Sequence, residues 1–162
     1  MRTPNYDFKK DVVIAEKTQI QIAKYLEKTQ GMKFLDESSV AKGNHADYDI
    51  RMLTPGQREI TIEIKEDFTC ERTGNVGVEY ECRGYPSGIN RSKADFYMYK
   101  IHRPDSKVGL YVVQTSKLKQ MIADELYFRT VVGGDPGSNS KCYLFKLDVI
   151  AKNFKFLGYM GD

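Results

Sequence analysis

At 162 residues the chain is one domain long, and it is large enough to bury a substantial core without disulfides or metal staples. A formal net charge of +3 and a pI near 8.6 are mildly basic, which permits a polyanionic partner without demanding one. Cys70, Cys82 and Cys142 are odd in number and widely spaced, with no Cys-x-x-Cys or Cys/His cluster of the zinc type, and they fit a reducing cytoplasm. No apolar run approaches the length of a membrane span, and the opening MRTPNYDFKK is too polar for a signal peptide, so a soluble intracellular protein with no membrane partner is expected.

From about Phe8 to Gln30 the sequence reads as an amphipathic helix, with Val12, Val13, Ile20, Ala23 and Leu26 at helical spacing and Gly31 as the stop. Glu16 lies on or beside that apolar stripe, where an acid is either a rim glutamate reaching solvent or a residue with work to do. A polar stretch to His45 follows, with MKFL as a short strand or packing segment and Ser38, Gly43 and Asn44 as turn formers.

Next comes a hairpin. In its first strand Tyr48, Ile50 and Met52 alternate with Asp47, Asp49 and Arg51; TPGQ supplies the turn; in EITIEIK, Ile60, Ile62 and Ile64 alternate with Thr61, Glu63 and Lys65. Two carboxylates and a lysine therefore share the charged side of the hairpin. EDFTCERTGN reads as a polar loop and VGVEYEC as a third alternating strand, whose polar face carries Glu79 and Glu81. If that strand pairs beside the second, either acid could ligate a metal or hold Lys65; otherwise both are surface charges.

GYPSGINRSK is a loop or short helix of small and basic residues, in which Ser87, Gly88, Asn90, Arg91, Ser92 and Lys93 could offer amides, hydroxyls and cations to phosphates. ADFYMYKI is a fourth, aromatic-rich strand and VGLYVVQT a fifth, apolar enough to be central. Ser116 is read as the cap of a helix from Lys117 to Tyr127 with Leu118, Met121, Ile122 and Leu126 on its buried side. The Gly/Pro/Asn/Ser loop GGDPGSNSK precedes two closing strands, CYLFKLDVI and FKFLGY. His45 and His102 show no ligand spacing and are read as surface or loop residues. No repeat or linker divides the chain, so residues 1–162 are expected to form a single domain.

A lone Asp ending a strand, a hairpin, and Glu-x-Lys in the next strand resembles the PD-(D/E)XK nuclease superfamily of restriction-endonuclease-like and Holliday-junction-resolvase-like enzymes. The matching residues are Asp49 and Glu63-Ile64-Lys65, with Tyr48 where the namesake has Pro. GNVGVEYECRGYPSGINRSKADFYMY, from Gly74 to Tyr99, is similar to a segment that follows the Glu-x-Lys strand in many bacterial and phage members. With the N-terminal helix the resemblance spans roughly residues 10 to 127. It implies an α/β fold with a central mixed β-sheet flanked by α-helices. It also implies Mg²⁺ (or Mn²⁺) held by Asp49, Glu63, the carbonyl of Ile64 and a helix acid at Glu16, with Lys65 near the attacking water. Asp49 is preferred to Asp47 because it has the family's spacing. DNA is the implied partner, a homodimer a further expectation, and Ser87, Gly88 and Ser92 the implied near-site residues.

Chemically, phosphodiester cleavage needs an activated water and neutralisation of developing charge, which a hard cation on carboxylate oxygens supplies. A lysine beside two carboxylates favours its ammonium form, so Lys65 is assigned electrostatic and positioning work before general-base work. A non-enzymatic nucleic-acid-binding module on the same fold is the alternative, motivated by the aromatic and basic stretch from Arg83 to Lys100.

Overall fold

The computed structural model describes residues 8–37, 48–133 and 139–161. Helix α1 (Phe8–Gln30) ends at Gly31, whose φ of +65° suits a residue without a Cβ. Strands β1 (Lys33–Glu37), β2 (Ile50–Leu53), β3 (Glu59–Asp67), β6 (Phe96–His102), β7 (Val108–Gln114) and β10 (Lys155–Met160) form a six-stranded sheet in the order β1-β2-β3-β6-β7-β10. Only β3 and β6 run parallel; every other neighbouring pair is antiparallel, so the sheet is mixed.

Between β3 and β6 the chain leaves this sheet. A one-turn helix α2 (Cys70–Thr73) leads into β4 (Asn75–Cys82) and the two-residue β5 (Tyr85–Pro86), and a 3₁₀ turn at Gly88–Asn90 brings it back. With β8 (Arg129–Gly133) and β9 (Ser140–Lys146) these strands make a separate antiparallel sheet, ordered β5-β4-β9-β8. Helices α3 (Thr115–Ala123) and α4 (Leu147–Asn153) complete the fold.

Alternation along β3 and β6 divides the interior in two. Ile60, Ile62, Ile64 and Met98 meet Ile22, Ala23 and Leu26 of α1 on one face of the large sheet. Tyr97, Tyr99 and Ile101 face the other way, into a core shared with Val76 and Val78 of β4, Phe145 of β9, Leu118 of α3 and Ile150 of α4. The layers are thus α1, the six-stranded sheet, then the second sheet with its helices.

The expected mixed sheet with helices is present, but one of its faces is covered largely by a second sheet. VGVEYEC is a strand, as its alternation predicts, yet it pairs with β9 and β5 instead of the Glu-x-Lys strand. CYLFKLDVI is strand only to Lys146. Leu147 begins α4, its N–H donating to the Gly74 carbonyl at 3.0 Å, with Asp148 in the first turn. The helix expected from Lys117 to Tyr127 runs from Thr115 to Ala123, so Ser116 lies within its first turn, and Leu126 is exposed beyond its end. On α1 the buried stripe is Thr18, Ile22, Ala23 and Leu26, while Val13 and Ile20 face solvent.

Candidate active site

The hairpin register builds the site. Ile50 lies opposite Ile62, and the Asp49 N–H donates to the Ile62 carbonyl at 3.0 Å, so the pairing continues one residue beyond β2 and sets Asp49 beside Glu63. Across the parallel pair Glu63 is in register with Tyr97, and Lys65 with Tyr99. Asp49, Glu63 and Tyr97 therefore form one rung across three strands, on the face turned toward the second sheet. The Ile64 N–H donates to Asp49 Oδ2 at 2.7 Å, which fixes the carboxylate against β3. In an extended strand the Ile64 carbonyl points to that same edge.

Glu63 is the hub. Its Oε1 accepts from Ser92 Oγ at 3.1 Å and its Oε2 lies 3.5 Å from Lys65 Nζ. The Glu63 side chain is 13% exposed and that of Lys65 38%, so the lysine opens the cluster to solvent. Burial and the neighbouring Glu63 carboxylate push the Asp49 pKa up to about 7, against the opposing pull of the Ile64 amide and Lys65. Lys65 shows the complement: burial disfavours its charge, but Glu63, Asp49 and Glu79 outweigh burial and raise its pKa, so it is an ammonium at neutral pH.

An aspartate that stays protonated up to about pH 7 beside a second carboxylate marks a site short of positive charge. A hard cation fits that deficit. Among the described residues no three His, Cys, Asp or Glu side chains are grouped to hold a metal ion. The available donors are Asp49, Glu63 and the Ile64 carbonyl, and water or substrate oxygens would complete the shell, an arrangement Mg²⁺ commonly adopts.

Glu79 of β4 reaches this cluster electrostatically from the second sheet. Glu81 does not join it, because it is committed to Lys141 of β9 at 2.8 Å. Glu16 is exposed on α1, the helix on the opposite face of the sheet, and is not brought to Asp49 and Glu63. Asp47 and His45 lie outside the described residues.

The loop read as a phosphate cradle is partly a structural brace. Ser92 is buried and turned inward to Glu63, and Gly88, at φ +52°, sits so close to the Glu79 carbonyl that a Cβ would collide with it. Ser87 precedes the 3₁₀ turn with its Oγ buried, and the Asn90 amide donates to the Tyr80 carbonyl at 3.2 Å. Arg91 and Lys93 are exposed, as phosphate contacts require.

Sequence reasoning passed over Tyr97, whose buried hydroxyl faces Ser92 without a well-formed hydrogen bond, whereas Tyr99 donates to the Gly77 carbonyl at 3.1 Å. It also misread His102 as a surface or loop residue. His102 ends β6, and its Nε2 donates to Glu66 Oε2 at 2.7 Å. Thr18 donates to Glu66 Oε1 at 2.5 Å, and the buried Lys100 lies 3.3 Å from Glu66 and donates to Gln21 at 2.8 Å. Burial alone would raise the Glu66 pKa, but the Thr18, His102 and Lys100 partners outweigh it and lower it. The available signal was parity: Glu66 continues the Ile60-Ile62-Ile64 face and Lys100 the Phe96-Met98 face, where polar groups are out of place unless paired.

Compared with known proteins, the chain matches no family model, no curated protein and no solved structure.

Proposed function

We propose that the chain is a divalent-metal-dependent DNA endonuclease that hydrolyses phosphodiester bonds. The observation that carries this reading is the convergence of Asp49, Glu63 and Lys65 on one face of the β2–β3 hairpin, where burial and Glu63 push the Asp49 pKa up to about 7. Asp49, Glu63 and the Ile64 carbonyl would hold Mg²⁺, or Mn²⁺ in its place, which supplies charge neutralisation and water activation. Lys65 stands at the open side of the pair as an ammonium, suited to orient the attacking water and offset charge on the phosphate, and unsuited to take a proton. Ser92 fixes the free edge of Glu63, and Arg91 and Lys93 supply exposed cations for the DNA backbone.

The test is a cleavage panel on supercoiled, linear, single-stranded and four-way-junction DNA with Mg²⁺, Mn²⁺ or EDTA. Metal-dependent cutting is expected, with Lys65→Ala reducing it at least about 10²-fold and Glu63→Ala abolishing it. Undiminished cutting by Glu63→Ala overturns the assignment. DNA binding that is salt-sensitive but never accompanied by cutting returns the chain to the binding-module reading.

A further inference from the structure

The β4–β5 hairpin runs past the Asp49, Glu63 and Lys65 cluster and ends in an aromatic ring. Gly77 of β4 donates its N–H to Asp67 Oδ2 at 3.2 Å, whereas Glu79 acts on Lys65, so β4 follows β3 in the opposite chain direction. Its continuation beyond Glu79 therefore leads from Lys65 toward Glu63. The chain returning from the tip sets Ser92 against Glu63. The tip itself is the two-residue turn Arg83-Gly84, whose φ values of +52° and +80° are the positive pair that a tight turn between twisted strands requires.

Register puts Tyr85 on the face of the second sheet that looks onto the cluster. Burial and the Glu79 and Asp67 carboxylates push the Cys142 thiol up to about 11 against the pull of Lys65, so Cys142 of β9 faces the cluster. Ser140, two residues earlier, shares that face, and its Oγ donates to Cys82 Sγ at 3.6 Å. The pairing slips by one residue between Glu79 and Glu81, which keeps Cys82 on the Glu79 side, and Tyr85 is the direct partner of Cys82 across the turn. From Cys142 to Ser140 is about 7 Å along the strand, roughly two base steps of a nucleic acid.

Tyr85 is 74% exposed. Of the five exposed aromatic rings among the described residues, Phe68 stacks on His102, Phe156 and Tyr159 pack together, and Phe128 lies under Arg129 and Lys146; Tyr85 alone meets neither a ring nor a cation. The hairpin that carries it is braced. The Ser87 N–H and the Asn90 amide both donate to the Tyr80 carbonyl, at 3.1 and 3.2 Å, and Glu81 is bridged to Lys141 at 2.8 Å. A flat apolar face held out on a fixed turn is best covered by another flat face. In intact duplex the bases are already stacked on one another, whereas an unpaired base has a face to offer.

Building on the nuclease reading, we propose that Tyr85 stacks on an unpaired base of the DNA held at the Asp49 site. The substrate class is then DNA with unpaired bases beside the scissile bond, in preference to uninterrupted duplex.

The test is binding of the full chain, with Ca²⁺ present to occupy the carboxylates, to a labelled single strand, its duplex, and that duplex with one bulged base. Wild type is expected to bind the first and third more tightly than the intact duplex. Tyr85→Ala is expected to weaken those two about tenfold and to leave the intact duplex unchanged, with Tyr85→Phe close to wild type. The chain has no tryptophan, so Tyr85→Trp supplies a single reporter whose fluorescence unlabelled single strand is expected to quench and intact duplex is not. Equal affinity for all three DNAs, no loss in Tyr85→Ala, or an unquenched Tyr85→Trp overturns the inference. The cleavage panel judges the nuclease reading separately: cutting with no effect of Tyr85 keeps the nuclease and discards this contact, whereas selective, Tyr85-dependent binding without cutting keeps the contact and discards the nuclease.

Discussion

Strand β3 offers carboxylates to both sides of the large sheet, and the two sides treat them oppositely. Glu66, toward α1, is surrounded by donors from Thr18, Lys100 and His102 and gives up its proton more readily than an ordinary glutamate. Asp49, set beside Glu63 on the other side, holds its proton to about pH 7. Both settings are desolvated and both contain a lysine, so burial alone does not set the direction. What differs is the ratio of acids to donors. A balanced buried network ties α1 to the sheet, whereas an acid-rich one is a place where a missing cation would be welcome.

Breaking the balanced side gives the largest expected effect. Glu66→Ala leaves Lys100 buried without its anion, and a loss of about 3–5 kcal/mol is expected in urea unfolding at pH 7. A loss below about 1 kcal/mol would mean that the network is not a cross-tie at all.

The acid-rich side is sharpened by pH. Because the Asp49 pKa is higher in the folded chain than unfolded, its contribution is fully present below about pH 4 and is lost as pH rises through about 7. In EDTA, wild type is expected to lose on the order of 3 kcal/mol over that range relative to Asp49→Asn, read from paired denaturation curves. Added Mg²⁺ is expected to raise the unfolding temperature at pH 8 and to do little at pH 5. Equal stabilisation at both would remove Asp49 from the cation site. Glu66 contributes with the opposite slope, its stabilisation disappearing as pH falls through its lowered pKa.

The smallest effect concerns the Tyr97 hydroxyl. Tyr97→Phe removes a buried O–H that faces Ser92 without a well-formed hydrogen bond, and it is expected to change stability by less than about 1 kcal/mol in thermal unfolding. The matching change at Tyr99, whose hydroxyl bonds the Gly77 carbonyl, is expected to cost about 1 kcal/mol.

The two sides also differ in how far the sequence discloses them. Asp49, Glu63 and Lys65 sit on adjacent strands of a tight hairpin, so alternation and a turn suffice to bring them together. The network around Glu66 joins residues from α1, β3 and β6, and only the parity of the apolar faces hints at it. The second sheet is less legible still. Val76 pairs with Phe145, and no local propensity reports so distant a partner, so VGVEYEC is recognisable as a strand while its neighbour is not. Glu16 shows the same limit, since helical spacing assigns a stripe but not the face of the sheet that the helix will meet.

The excursion over residues 68–95, which separates the parallel strands β3 and β6, bears on the order of assembly. The β2–β3 hairpin closes through neighbours in sequence, while joining β6 to β3 requires that whole excursion to fold back, and non-local pairings of this kind are slow. Asp49, Glu63 and Lys65 can therefore meet early, whereas Ser92 and Tyr97 arrive only with the late step. A chain still emerging from the ribosome would carry the acidic pair before the strand that braces it, so competence at this site is a property of the finished sheet.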